Sequence, residues 1–145
     1  MAILEIVKDP DPFLRQVSRE VTVFDAPLHQ LLDDMTETMK SANAIGIAGV
    51  QVGQLYRVCV LDVRGGILEM VNPVITHTAR EKKGDEGCIS IPGATVSAAR
   101  HHDITVEFQD RDGIHLRRAF KGIEAVCVQH EIDHMDGRLM TDFVG

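Results

Sequence analysis

The stretch QHEIDHMDG, residues 129–137, sets the reading of the whole chain. Two histidines four residues apart fall on one face of a helix, about one turn apart. Both imidazoles can therefore reach one metal ion, with Glu131 projecting beside them. Upstream, Ile123, Val126 and Cys127 lead into His130 and His134 at helical spacing, so the histidines continue an apolar stripe that would place a metal inside the fold. The pattern predicts a helix from about Gly122 to Asp136, stopped by Gly137 in a left-handed cap. A core histidine pair bonded to carbonyls is the competing explanation, but two buried imidazoles beside a glutamate need several polar partners.

A catalytic tetrahedral site keeps three protein ligands and one open position, so a third ligand is required. One protease pattern extends the motif to a further histidine; here Gly137 fits its glycine, but Met140 stands at the last position. Another takes a glutamate downstream, and the eleven residues after His134 contain none. The ligand must come from upstream. Cys127 lies about 10.5 Å from His134 along the helix axis, too far for comfortable shared ligation, and is expected in the core. Cys88 in EGCIS is the better candidate, because Gly87 permits close backbone approach in a loop able to aim a thiolate. His101 and His102 stay as alternatives, although adjacent residues on an extended chain point opposite ways. Cys59 alternates with valines in a strand, and His29, His77 and His115 are expected on the surface.

Further from the motif, Leu28, Leu31, Leu32, Met35 and Met39 mark an amphipathic helix from Pro27 to near Asn43, with Asp25 as its cap. Asp11 before Pro12 opens a single earlier turn. AIGIAGVQVG, residues 44–53, is expected to be a loop whose glycines serve unusual backbone angles or close approach, with Gln51 its one side-chain hydrogen-bonding group. YRVCVLDV (56–63) and ILEMVNPVI (67–75) predict one hairpin about Arg64-Gly65-Gly66; DITVEFQ (103–109) and IHLRRAF (114–120) predict another about Asp110–Gly113. KKGDEGCISIPG, residues 82–93, is expected to link them without regular structure. The order gives an α+β class, with antiparallel β-sheets packed around a central C-terminal helix that carries the HExxH motif, and residues 1–145 forming one catalytic domain.

Hydrophobic residues at 44% and charged residues at 26% are ordinary for globular proteins, which removes disordered and fibrous classes. A net charge of −7 without an obvious Lys/Arg cluster argues against a nucleic-acid substrate. MAILEIVKDP lacks the features of a signal peptide, and no run approaches the roughly 20 apolar residues that cross a bilayer, so no membrane role and a cytoplasmic location are expected. Three cysteines in a reducing compartment remain thiols, leaving one free for a metal.

Three segments in this order, AIGIAGVQVG at 44–53, EGCISIPG at 86–93 and QHEIDHMDG at 129–137, resemble the peptide deformylases, and the resemblance runs over essentially the whole chain. It implies Cys88, His130 and His134 as ligands of one divalent metal, typically Fe²⁺, with Zn²⁺, Ni²⁺ or Co²⁺ able to replace it. It makes Glu131 the catalytic acid/base, with Gln51 and the Ile89 N–H holding the oxyanion. Ile45 and Gly46 from the glycine segment, with Ile123, Val126 and Cys127 from the helix, would surround the substrate methionine. The implied partners are an N-formylmethionyl peptide and, transiently, the ribosome. The likeness is to short organellar-like or phage-encoded forms that lack a C-terminal helix, and a phage form would act in the host cytoplasm. Ala44 and Gly49 exchange small residues within the first motif, Ile89 and Met135 replace leucines, and Thr95 stands where many deformylases carry a peptide-holding arginine.

The implied chemistry is hydrolysis of a formamide: a metal-acidified water attacks the formyl carbon and Glu131 carries its proton to the leaving amine. Asp133 either orients a neighbour such as Arg100 or is a solvated helix-face residue. Two other readings compete. One is a metalloprotease or general amidase using the same chemistry; the other is a binding module that keeps metal and peptide without turnover.

Overall fold

A computed structural model describes residues 2–140, the side chains of 92–94 and 96 excepted. Near the start, Asp11 accepts a hydrogen bond from the Phe13 N–H at 2.9 Å and opens a single 3-10 turn at Pro12–Arg15. Asp25 caps helix α1, Ala26–Ser41, by accepting from the Leu28 N–H at 3.3 Å. The stripe of Leu28, Leu32, Met35 and Met39 is buried, as its spacing requires. Asn43 then adopts φ 53° and turns the chain out of the helix.

The glycine segment is more regular than expected. It forms strand β1, Gly46–Ala48, followed by a 3-10 turn at Gly49–Val52 that closes on Gly53 at φ 81°. Strands β2 (Val58–Val63), β3 (Gly66–Cys88), β4 (Ile91–Gln109) and β5 (His115–Lys121) follow, and helix α2 (Gly122–Met135) comes after them. The described strands make one antiparallel sheet in the order β1-β2-β3-β4-β5. Both expected hairpin turns are present, with Gly65 at φ 101°, Gly66 at φ 122° and Gly113 at φ 84°.

Residues 82–93, expected to be irregular, instead extend the ladder. Lys82 pairs with Arg100, Asp85 with Ser97 and Glu86 with Val96, so β3 and β4 form a ribbon reaching a tight turn at Ile89 and Ser90. Lys82, Lys83 and Asp85 are exposed. Exposed charges at 82–85 and a charged Glu86 turned inward to Arg100 leave no apolar alternation, so the hydrophobic pattern does not reveal the ribbon.

The core divides by strand alternation. Cys59, Leu61 and Val63 of β2 join Ile104, Val106, Phe120 and the α2 residues Ala125, Val128, Ile132 and Met135. Val58 and Val60 join Ile47 and the α1 stripe on the opposite face. β2 therefore packs against α2 on one face and α1 on the other, and β1, β4 and β5 also contact α2, within one sheet where several were expected. The N-terminal segment bridges the 3-10 turn and the β3–β4 turn: the Val7 N–H donates to Gln51 O and the Asp9 N–H to Ser90 O, both at 2.7 Å. α2 ends as expected, with Gly137 at φ 75°, and a Cβ there would meet Arg15 O at 2.4 Å. Among the described residues, no helix is long and apolar enough to cross a membrane.

Candidate active site

α2 and the β3–β4 turn converge on one cluster. The ligand atoms of Cys88, His130 and His134 all lie within 4.8 Å of one another. Cys88 Sγ is 3.4 Å from His134 Nε2, which is 3.1 Å from His130 Nε2. These separations approach the donor–donor edges of about 3.3–3.6 Å that tetrahedral ligation by nitrogen and sulfur sets. His101 and His102 do not join the group: the His101 backbone pairs with the Gln129 side chain, and His102 Nδ1 sits 2.7 Å from Asp103. All three cysteines are free thiols, and Cys59 is fully buried. His77 and His115 are exposed; His29 departs from expectation, half-buried with its Nε2 2.8 Å from Arg111 O.

The surroundings of the histidines suit a cation. His130 Nδ1 lies 3.0 Å from Glu86 Oε1, a contact in which the ring donates, leaving the Nε2 lone pair for a metal. Burial opposes charge on His130, yet the Cys88 and Glu86 contacts push its pKa up to about 10. Burial, with His130 alongside, pushes His134 down to about 3. A metal ion would take the place of the proton on His130, held by two neutral imidazoles and the Cys88 sulfur.

Glu131 is fully buried and burial raises its pKa to about 7, near the working range of a general acid/base. Its Oε1 has no hydrogen-bond partner among the described residues. A Cβ at Gly46 would lie 2.5 Å from its Oε2, so the close approach expected of the glycine segment is to this carboxylate. Gln51, 1% exposed, accepts the Ala48 N–H on Oε1 at 2.9 Å. Its Nε2 reaches Ser90 Oγ at 3.1 Å and Cys88 Sγ at 3.6 Å.

Arg100 supports this centre from β4. It holds both Glu86 oxygens through one guanidinium edge, Nε and Nη2 donating at 2.8 and 2.9 Å, and pairs with Asp133 through Nη1. Asp133 therefore faces Arg100, not solvent. The salt bridge ties the strand carrying Cys88 to the helix carrying the histidines. Sequence reasoning gave Glu86 and Ser90 no role, although Glu86 lies two residues before Cys88 on an extended chain and so on the same side.

A cavity of about 730 Å³ opens on Glu131, His130 and Cys88, and Ile45, Gly46, Gln51, Ile89, Ile123, Val126 and Cys127 all line it. One expectation needs correction. Ile123 is 77% exposed and Ile45 55% exposed, so both sit at the mouth, while Val126 and Cys127 are half-buried in the wall. The stripe leading to His130 is a cavity wall; α2 instead packs on the sheet through Ala125, Val128, Ile132 and Met135.

An α+β fold with a Cys/His/His donor group beside a buried, unpartnered glutamate defines a metallohydrolase. A family model, polypeptide deformylase, matches residues 3–144. The chain belongs to the polypeptide deformylase family. It is 45% identical to a peptide deformylase of Acetivibrio thermocellus over 144 residues, covering 99% of this chain and 85% of that one. A peptide deformylase structure from Thermotoga maritima superposes with a TM-score of 0.97 at 33% identity, covering 100% of this chain and 99% of that one. One from Legionella pneumophila gives 0.96 at 39% identity, covering 99% and 87%. A Synechococcus elongatus deformylase solved in complex with actinonin matches at 0.95 and 36% identity, covering 98% and 79%.

Proposed function

We propose that this protein hydrolyses the N-formyl group from peptides beginning with formyl-methionine, releasing formate, and that one domain carries all the residues involved. The observation that supports it most is the buried Glu131 carboxylate, unpartnered at Oε1, lining the same cavity as Cys88 and His130. Cys88, His130 and His134 would hold one divalent ion, Fe²⁺ in the native enzyme, with Zn²⁺, Ni²⁺ or Co²⁺ compatible with the same donors. When bound, such an ion lowers the pKa of a water and supplies positive charge at the reacting carbonyl.

The chain's own groups do the rest. Glu131 takes the water proton and returns it to the leaving amine nitrogen, a transfer suited to a carboxyl with a pKa near neutrality. The Gln51 amide and the Ile89 N–H face the developing oxyanion, each such donor contributing on the order of 3 kcal/mol. Ile45, Gly46, Ile123, Val126 and Cys127 receive the methionine side chain, whose burial contributes roughly 1.5–3 kcal/mol. Thr95 is exposed and cannot supply an arginine's contact with the peptide. The proposed setting is the cytoplasm, in transient contact with the ribosome.

Formate release by anaerobically purified protein tests the reading. Formyl-Met peptides should turn over, formyl-Gly peptides should lose about 10- to 100-fold in kcat/KM, and internal peptide bonds should be inert. Glu131→Gln should keep its metal and lose about 10³-fold or more in kcat. Internal cleavage of casein-like chains, or acetyl-Met handled as readily as formyl-Met, would establish a general amidase instead.

A further inference from the structure

We infer that Ser90 is a positioning residue that aims the Gln51 carboxamide, with the N-terminal segment holding both residues from behind. The inference rests on the role proposed above for Gln51. A backbone N–H can only donate, so the Ala48 N–H at 2.9 Å fixes which end of the Gln51 amide is oxygen. Nε2 must then face Ser90 and Cys88. Of its two hydrogens, one is taken by Ser90 Oγ at 3.1 Å and the other is directed to the Cys88 side of the cavity.

Ala48 N–H and Ser90 Oγ thus hold the amide at two points, which removes its free rotation about the terminal torsion and leaves the second hydrogen on the cavity side. That torsion is broad in an unrestrained glutamine, so a donor aimed at an oxyanion gains most from such restraint. Ser90 itself is fully buried. Gln51 and Ser90 also present their carbonyls to one passing strand of chain, accepting from the Val7 and Asp9 N–H groups at 2.7 Å each. The 3-10 turn carrying Gln51 and the β3–β4 turn carrying Ser90 are thereby fixed relative to one another.

A double-mutant cycle on metal-loaded protein tests this with formyl-Met peptide. Ser90→Ala should lower kcat about 10-fold, with KM changed less than about 2-fold, because the donor is misaimed in the transition state rather than lost from substrate binding. Metal content should equal that of the parent. Gln51→Ala should cost about 100-fold or more, and adding Ser90→Ala to it should cost nothing further. Additive losses, a loss carried by KM, or a drop in metal content for Ser90→Ala would each overturn the inference, the last by assigning Ser90 to Cys88. An undiminished kcat for Gln51→Ala would instead overturn the role proposed for Gln51.

Discussion

Gly46 lies against Glu131, and the absent Cβ is what leaves room for the carboxylate. Gly46→Ala should move the flexible end of Glu131 and leave the backbone in place. We expect kcat/KM to fall about 100-fold with less than about 1 kcal/mol lost in stability. Parental activity in a correctly folded alanine variant would refute that account. Cys127 gives a pH-dependent test. Burial first, then Glu131, Glu86 and Glu124, push its thiol up to about 12. The thiolate is the reactive form, so reactivity should climb about tenfold per pH unit throughout the range below 12, with only about one thiol in 10⁴ ionised at pH 8. Iodoacetamide labelling mapped by mass should leave Cys127 unmodified at pH 8 on a timescale that alkylates an ordinary thiol. Rapid labelling there would contradict the raised pKa. Much of the site was legible at this scale, because HEIDH announces itself by spacing alone. Glu86 and Ser90 were not, since a carboxylate and a hydroxyl acquire roles only when a hairpin folds them against partners 44 and 39 residues away.

Among the elements, both helices were readable from periodicity and caps, and Gly137 shows why the second stops where it does. Its φ of 75° disfavours any side chain, and a Cβ would press on the Arg15 carbonyl, which is backbone and cannot step aside. Gly137→Ala should therefore cost about 3 kcal/mol or more, a fall on the order of 10 °C in Tm by calorimetry. A variant within 2 °C of the parent would show that the cap tolerates a side chain. The long β3–β4 ribbon was not readable beyond its apolar ends. Its middle, EKKGDE, offers no alternation of apolar and polar residues, and its order comes from the backbone ladder and from Glu86 turned inward to Arg100. The stripe at Ile123, Val126 and Cys127 misled for a related reason: helical spacing identifies an apolar face but does not say whether a core or a cavity lies against it.

Across the whole molecule, the donor group spans two elements, Cys88 at the tip of the ribbon and the histidines on α2. A bound ion therefore fastens one to the other, and stability should depend on it by mass action. Chelation should lower Tm by several degrees, and stoichiometric restoration of the ion should recover it. An unchanged Tm after complete metal removal would dissociate these residues from metal binding. The sequential order of the elements also has a kinetic meaning. Every described strand precedes α2, so the histidines are polymerised after those strands, and their contacts with the Cys88 turn span more than forty residues. During vectorial synthesis the earlier segments can pair and collapse, but hydrolytic competence must await α2 docking against a preformed sheet. A growing copy of this chain is consequently inert until that closure, and ion capture should report the docking of α2 rather than the collapse of the strands before it.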